Sequence, residues 1–192
     1  MEDTRNRILK AALESFSKHG YTGATTREIA RVSEVTEVTL FRYFQSKEKL
    51  FENVVCKFLP GPEFGQFVSN AKELDYRQAL ESIAHFFLEG LKQNEDLIRI
   101  LYMESQRHYE LMEQIYSALI NNLNVILADY FTELQGKNII RRFDPSVGAK
   151  MFLGIWIAFY EEEHLFAIDP GKVKTVEAVR ECIEIFVRGT QA

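Results

Sequence analysis

Residues 25–51 read TTREIARVSEVTEVTLFRYFQSKEKLF, and the three Thr/Ser positions that punctuate this stretch decide the fold. Thr25-Thr26-Arg27-Glu28 has the form of a capping box, in which a Thr hydroxyl takes an orphan backbone N–H at a helix start and a Glu sits three residues on. It opens a short helix whose inner face is Ile29 and Ala30. Thr36 is placed to cap a second short helix over about 37–43, and Ser46 a third over about 47–58. In the middle helix Leu40 and Phe44 stand four apart and share one face, so they turn toward the core with Ile29 and Phe16. Glu37, Val38, Thr39, Arg42 and Tyr43 are thereby left facing outward. The pattern is two short helices joined by a tight turn.

The same periodicity extends in both directions. Ile8, Leu9, Ala12, Leu13 and Phe16 form the apolar stripe of a leading helix over roughly 4–19, with Gly20 placed to cap it. Pro60-Gly61-Pro62 is the only Pro/Gly cluster and marks a break, followed by a stretch to Leu74 that is not assigned. Helices are expected over 75–94, 95–107 and 109–134, the last ended by Gly136. Asp144-Pro145 and Asp169-Pro170 each place a cap before a proline, which starts helices over about 145–164 and 170–188. No strand alternation is present. The expected fold is all-α, with about nine helices: an N-terminal three-helix head (residues 1–46), joined by a fourth helix to a helical bundle (residues 47–192).

Composition is that of a globular chain, 46% hydrophobic and 27% charged. The net charge of −5 hides an asymmetry: residues 1–58 carry +2 and the remainder −7. A mildly basic head on an acidic body suits a head that meets phosphates. Cys56 and Cys182 are far apart and have no metal-ligand spacing. The N-terminus lacks a signal-peptide pattern, and the apolar run Met151–Tyr160 is too short to span a bilayer, so a cytoplasmic protein without membrane contact is expected. No P-loop, glycine-rich phosphate motif or Ser/His/Asp set occurs, and His19, His85, His108 and His164 are scattered. No catalytic residue, metal or cofactor is expected.

A short helix that enters the major groove by its N-terminus, offers polar groups to base edges and is flanked by phosphate donors can read DNA. Arg42 can address the O6/N7 pair of a guanine, and Thr39 a phosphate or a thymine methyl. Thr26 and Arg27 open one helix and Lys47 another, at positive dipole ends that favour an anion, while Tyr43 carries a hydroxyl. Ile8–Phe16, Gly20-Tyr21, Thr25–Ala30 and Thr39-Leu40-Phe41-Arg42-Tyr43-Phe44-x-Ser46-Lys47-Glu48-x-Leu50-Phe51 together resemble the DNA-binding domain of the TetR family of transcriptional regulators. The resemblance is dense over residues 5–51 and extends beyond them in helix count and size only. It implies that Thr26, Tyr43 and Lys47 hold phosphates, and that Arg27, Glu37, Val38, Thr39 and Arg42, at the end of the helix that Thr36 opens, face bases. Three positions depart from the family pattern: Glu34 stands where a turn glycine is usual, Val38 where a small residue is common, and Phe41 where Tyr is frequent. Glu34 there is expected either to strain a left-handed position or to change the turn.

The resemblance further implies a homodimer on a palindromic operator of double-stranded DNA, usually a repressor, paired through the last two helices. Apolar Phe159, Ile183 and Phe186 are the expected interface residues. It also implies a small effector bound within the bundle, whose aromatic and Met content suits an apolar or aromatic molecule; Phe86, Tyr102, Met103, Tyr116 and Trp156 are the expected contacts. Two alternatives stand beside this reading. One is a helical ligand-binding protein with a decayed head. The other is a di-metal carboxylate enzyme, for which Glu161-x-x-His164 supplies one of the two required motifs.

Overall fold

Side-chain caps, among them Thr25, Thr36, Ser46, Asp75 and Asp144, set where helices begin. The computed structural model describes residues 3–59, 61–105, 107–166 and 175–192, and within them all side chains but those of residues 62, 116, 118, 175 and 176. The described residues form α1 (Thr4–Gly23), α2 (Thr26–Val32), α3 (Glu37–Phe44), α4 (Lys47–Phe58), α5 (Gly61–Ala71), α6 (Tyr76–Gln93), α7 (Glu95–Glu104), α8 (Tyr109–Gly136), α9 (Pro145–Tyr160), a π turn (Glu161–Leu165) and α10 (Thr175–Thr190). Thr25, Thr36 and Ser46 accept from the backbone N–H groups of Glu28, Thr39 and Lys49, and Asp144 accepts from Ser146 and Val147. The capping box is half formed, because the Glu28 carboxylate turns to a two-pronged pair with Arg31 at 2.7 and 2.9 Å.

The element count exceeds the sequence expectation by α5, which starts at Gly61 with Pro62 as its second residue. A proline in the first turn costs no helix hydrogen bond, so the Pro/Gly cluster that reads as a break is also a start. At the end of α8 it is Asn138, not Gly136, that adopts left-handed backbone (φ 56°), with Ile139 N–H closing onto Leu134 O at 3.0 Å. The Asp169-Pro170 cap lies outside the described residues.

The chain divides into two compact units. The first comprises residues 1–59 and 94–118, where α1 packs against α2, α4 and α7, and α3 packs on α2 and α4. Its core is Ile8, Leu9, Phe16, Ile29, Leu40, Leu50 and Phe51, all fully buried. Phe16 meets Phe51 edge-on at 4.9 Å, and Tyr21 lies 5.0 Å from Phe51. Gly20 breaks α1 with φ 68°, ψ 174°, a conformation essentially restricted to glycine. A Cβ there would stand 3.2 Å from Glu104 Oε1.

The second unit comprises residues 60–93 and 119–192, with α6 packed against α5, α9 and α10. Its connector is tied to the end of α10: Arg141 N–H donates to Thr190 O at 2.8 Å and Arg141 Nε to Gly189 O at 2.5 Å. The Phe143 ring lies where a Cβ on Gly148 would be, which fixes glycine at that position. Trp156 is fully buried and Phe186 packs between Phe131 and Phe152, at 5.9 and 5.3 Å. This corrects the expected dimer face: Ile183 and Phe186 are turned into the subunit's own core, at 0% and 8% exposure. A helical stripe marks burial without telling which surface covers it. Among the described residues, the large apolar side chains left exposed on α9 and α10 are Val147, Met151 and Ile185, at 52%, 59% and 65% exposure. Phe159 is half-buried and stacks on Trp156.

Gly20→Ala should lower the free energy of unfolding by about 1–3 kcal/mol, since it combines forbidden backbone with a crowded Cβ. Gly136→Ala, inside a helix with open space around it, should be neutral or stabilising. Urea denaturation of the two variants checks this; equal effects would show that the break at Gly20 carries no strain for other residues.

Candidate nucleic-acid interface

The turn between α2 and α3 sets the pose of the outward residues. Val35 N–H donates to Ala30 O at 2.9 Å and Glu34 N–H to Arg31 O at 3.2 Å, the paired closure of a Schellman motif. Its left-handed position is Glu34, φ 55°, so of the two expected outcomes it is the strained position and not an altered turn that is found. Glu34 is held there by Arg7, whose Nη1 lies 3.3 Å from Oε2. Leu40 and Phe44 anchor α3 in the core, and Val38 is 80% exposed, so no packing role competes for its methyl groups.

The basic side chains of residues 1–58 fall into two groups. Arg5 donates to Asn53 and lies over Phe44, Arg7 pairs with Glu34, and Arg31 with Glu28. Lys18, Lys49 and Lys57 are engaged by Glu14, Glu52 and Asn6. Arg27 on α2 and Arg42 on α3 are exposed and have neither an ion pair nor a hydrogen bond among the described residues. Arg42 only lies over the Tyr43 ring at 5.8 Å. Arg27 lies in the first turn of α2 and Arg42 in the last turn of α3, so the two uncommitted guanidiniums belong to the helix-turn-helix itself.

Three expected contacts have partners of their own. Thr39 Oγ1 lies 3.0 Å from Thr36 Oγ1, the cap of its own helix. Thr26 Oγ1 donates to Glu37 Oε1 at 2.8 Å, across the turn. Lys47 folds back: its ammonium donates to Thr22 O at 3.3 Å and lies 4.7 Å above the Tyr21 ring. Burial lowers its pKa, and Glu48 and Glu104 oppose that shift. The buried Glu104 carboxylate accepts from Thr22 N–H and Thr22 Oγ1, at 3.5 and 3.3 Å, so Lys47 and α7 share Thr22 as a common anchor. Sequence reasoning missed Glu104 and Thr22, which lie 82 residues apart; the only local signal was the Glu104/His108 spacing on one helix face.

The expected effector residues fall in both units. Tyr102 lines a cleft of about 370 Å³ with Leu101, Ser105, Tyr109, Met112 and Glu113, in the first unit. Met103 is 72% exposed. Phe86 and Trp156 belong to the second unit, where Phe86 stacks on Phe67 at 4.2 Å and the buried Trp156 Nε1 has no hydrogen-bond partner. The Tyr116 side chain lies outside the described residues. Among the described residues no three His, Cys, Asp or Glu side chains could hold a metal ion, and no helix is long and apolar enough to cross a membrane.

An all-α chain with a capped helix-turn-helix that carries two uncommitted arginines is a DNA-binding regulator in form, and comparison with known proteins gives its family. Residues 8–54 match the family model of bacterial regulatory proteins, tetR family, and residues 78–189 match that of the AefR-like transcriptional repressor, C-terminal domain. The chain belongs to the TetR family and is a helix-turn-helix transcriptional regulator. It is 27% identical over 160 residues to the HTH-type transcriptional regulator YvkB of Bacillus subtilis, covering 83% of this chain and 82% of that protein. It is 30% identical over 102 residues to the HTH-type transcriptional repressor NicS of Pseudomonas putida, covering 53% and 48% of the two chains. In fold it is similar to a Mesorhizobium loti protein assigned to the same family (TM-score 0.77, 19% identity, 98% and 97% of the two chains) and to the flavonoid-responsive regulator FrrA (TM-score 0.72, 20% identity, 98% and 97%).

Left-handed backbone costs a residue with a Cβ about 1–2 kcal/mol, whereas the exposed Arg7–Glu34 pair returns at most about 1 kcal/mol. Glu34→Asn should therefore raise the melting temperature by about 2 °C, and Glu34→Ala should not. Differential scanning calorimetry checks both; a gain with alanine would mean that relief of charge, not of backbone strain, is responsible.

Proposed function

We propose that this regulator is a repressor that binds a palindromic operator as a homodimer and is released by a small apolar or aromatic effector. The observation that carries the DNA part is the pair of uncommitted arginines, Arg27 and Arg42, beside a reading helix whose other outward groups are Glu37, Val38 and Thr39. A guanidinium is strongly stabilised by a guanine edge or a phosphate, and a head that leaves two exposed and uncommitted on its helix-turn-helix is poised for that contact. Tyr43, Lys47 and the backbone at Thr36 and Thr26 take the flanking phosphates. In this scheme residues 1–46 read DNA, residues 47–192 carry the effector and the dimer, and the protein works in the cytoplasm without catalysing a reaction.

A head with one short reading helix covers few base pairs, so useful specificity needs two. The exposed apolar residues of α9 and α10, Val147, Met151 and Ile185, together with the open Gly154 on α9, mark the surface we assign to the second copy. A small residue lets helices approach closely, and apolar side chains exclude water. The cleft at Tyr102 and Met112 supports an apolar or aromatic effector, as does the flavonoid response named for one fold relative. Such a ligand represses or releases only by preferring one spacing of the heads over the other.

Titration of the chain with duplex DNA from beside its own gene should show affinity that falls steeply with salt. Arg42→Ala should lose about 1–3 kcal/mol at one base pair and relax the preference there, while Lys47→Ala should weaken all sequences alike. Binding that is absent or indifferent to salt would sink the proposal.

The double variant Met151→Glu/Ile185→Glu should sediment as a monomer with an intact helical spectrum and bind operator at least tenfold more weakly. A dimer that survives these charges would place the interface elsewhere.

A further inference from the structure

Glu37 is an odd residue to find where a helix enters a negatively charged groove. It is the first residue of α3, exposed, and its Oε1 accepts the Thr26 hydroxyl at 2.8 Å while no protein partner takes Oε2. An acid at the first turn favours the helix dipole, but that role needs no fixed side chain. Here the side chain is fixed, by a hydrogen bond that crosses the helix-turn-helix from α2. The single Thr26 hydroxyl proton is spent on Glu37, so this hydroxyl cannot at the same time donate to a phosphate.

We propose that Glu37 selects a cytosine in the operator half-site, its Oε2 accepting from the cytosine amino group, with Thr26 as the positioning residue. This rests on the DNA-reading role of α3 argued above. The major groove presents acceptors at guanine N7 and O6 and at thymine O4, and an acceptor next to a donor at adenine; cytosine alone presents only a donor. A carboxylate has nothing to donate, so it is repelled by guanine and thymine, is half-matched at adenine and is satisfied at cytosine. Its negative charge lowers affinity for every other sequence, which sharpens discrimination beyond what one attractive contact supplies.

The test is selection from a pool of randomised duplexes by the full-length chain and its Glu37→Gln, Glu37→Ala, Thr26→Val and Thr26→Ser variants, with thermal melts of each. The wild type should enrich a motif with one cytosine column favoured about tenfold. Glu37→Gln, which donates as well as accepts, should move that column toward adenine and leave the others in place; Glu37→Ala should flatten it and raise affinity for unrelated DNA. Thr26→Val should blur the same column and Thr26→Ser restore it. A wild-type motif whose columns all survive Glu37→Gln and Glu37→Ala overturns the cytosine assignment while leaving DNA reading intact. A uniform loss across columns in Thr26→Val makes Thr26 a phosphate contact and overturns its positioning role. No motif and no salt-dependent binding by the wild type overturns both this inference and the function on which it rests.

Discussion

An eight-residue helix has little more than two turns, and burying one stripe of it leaves every other side chain outside. In α3 that stripe is Leu40 and Phe44, and the outward surface of the helix follows from their burial. With these two pinned against α2 and α4, Glu37, Val38, Thr39 and Arg42 have no choice of face. The preceding turn then sets the angle at which they emerge. Its Schellman closure forces residue 34 into left-handed backbone, and the chain tolerates Glu there with help from Arg7. Backbone strain and an added negative charge are thus both located at the turn that aims the reading helix.

Behind this helix the first unit is tied together by a polar knot as well as by its aromatic core. Gly20 ends the regular part of α1 in glycine-only backbone, which turns Thr22 toward Glu104 on α7. Thr22 O also accepts from Lys47, whose ammonium sits above the Tyr21 ring. The residue that the family pattern assigns to phosphate therefore rests, without DNA, against a carbonyl that α7 holds through its own carboxylate. Reaching a phosphate requires Lys47 to leave that carbonyl and exchange a partly buried setting for an exposed one.

Much of this was legible in the sequence because it is local. Thr25, Thr36, Ser46 and Asp144 announce four helix starts, and each makes the backbone hydrogen bond its position predicts. Glu34 in a usual glycine position marked the turn as either strained or altered, and the backbone shows the strained outcome. What was not legible depends on distant partners or on competing local rules. The Thr26–Glu37 bond exists only once the turn is formed, and the Glu104–Thr22 contact only once α7 meets α1. At Gly61-Pro62 a breaker and a helix start share one sequence, and at α8 the terminating role passed from Gly136 to Asn138. Ile183 and Phe186 show the limit of apolar periodicity most plainly, for the pattern that places them on a buried face is the same whether a core or a partner covers it.

The central claim is that α3, aimed by the turn at Glu34, meets DNA together with Arg27 of α2. Amide and side-chain NMR shifts of the isotope-labelled full chain, followed as promoter duplex is added, test it directly. The account predicts the largest changes at Glu37, Val38, Thr39, the Arg27 and Arg42 guanidiniums and the Lys47 ammonium, with Leu40 and Phe44 little moved. Changes concentrated outside α2, α3 and the start of α4, or none at Arg27 and Arg42, would contradict it.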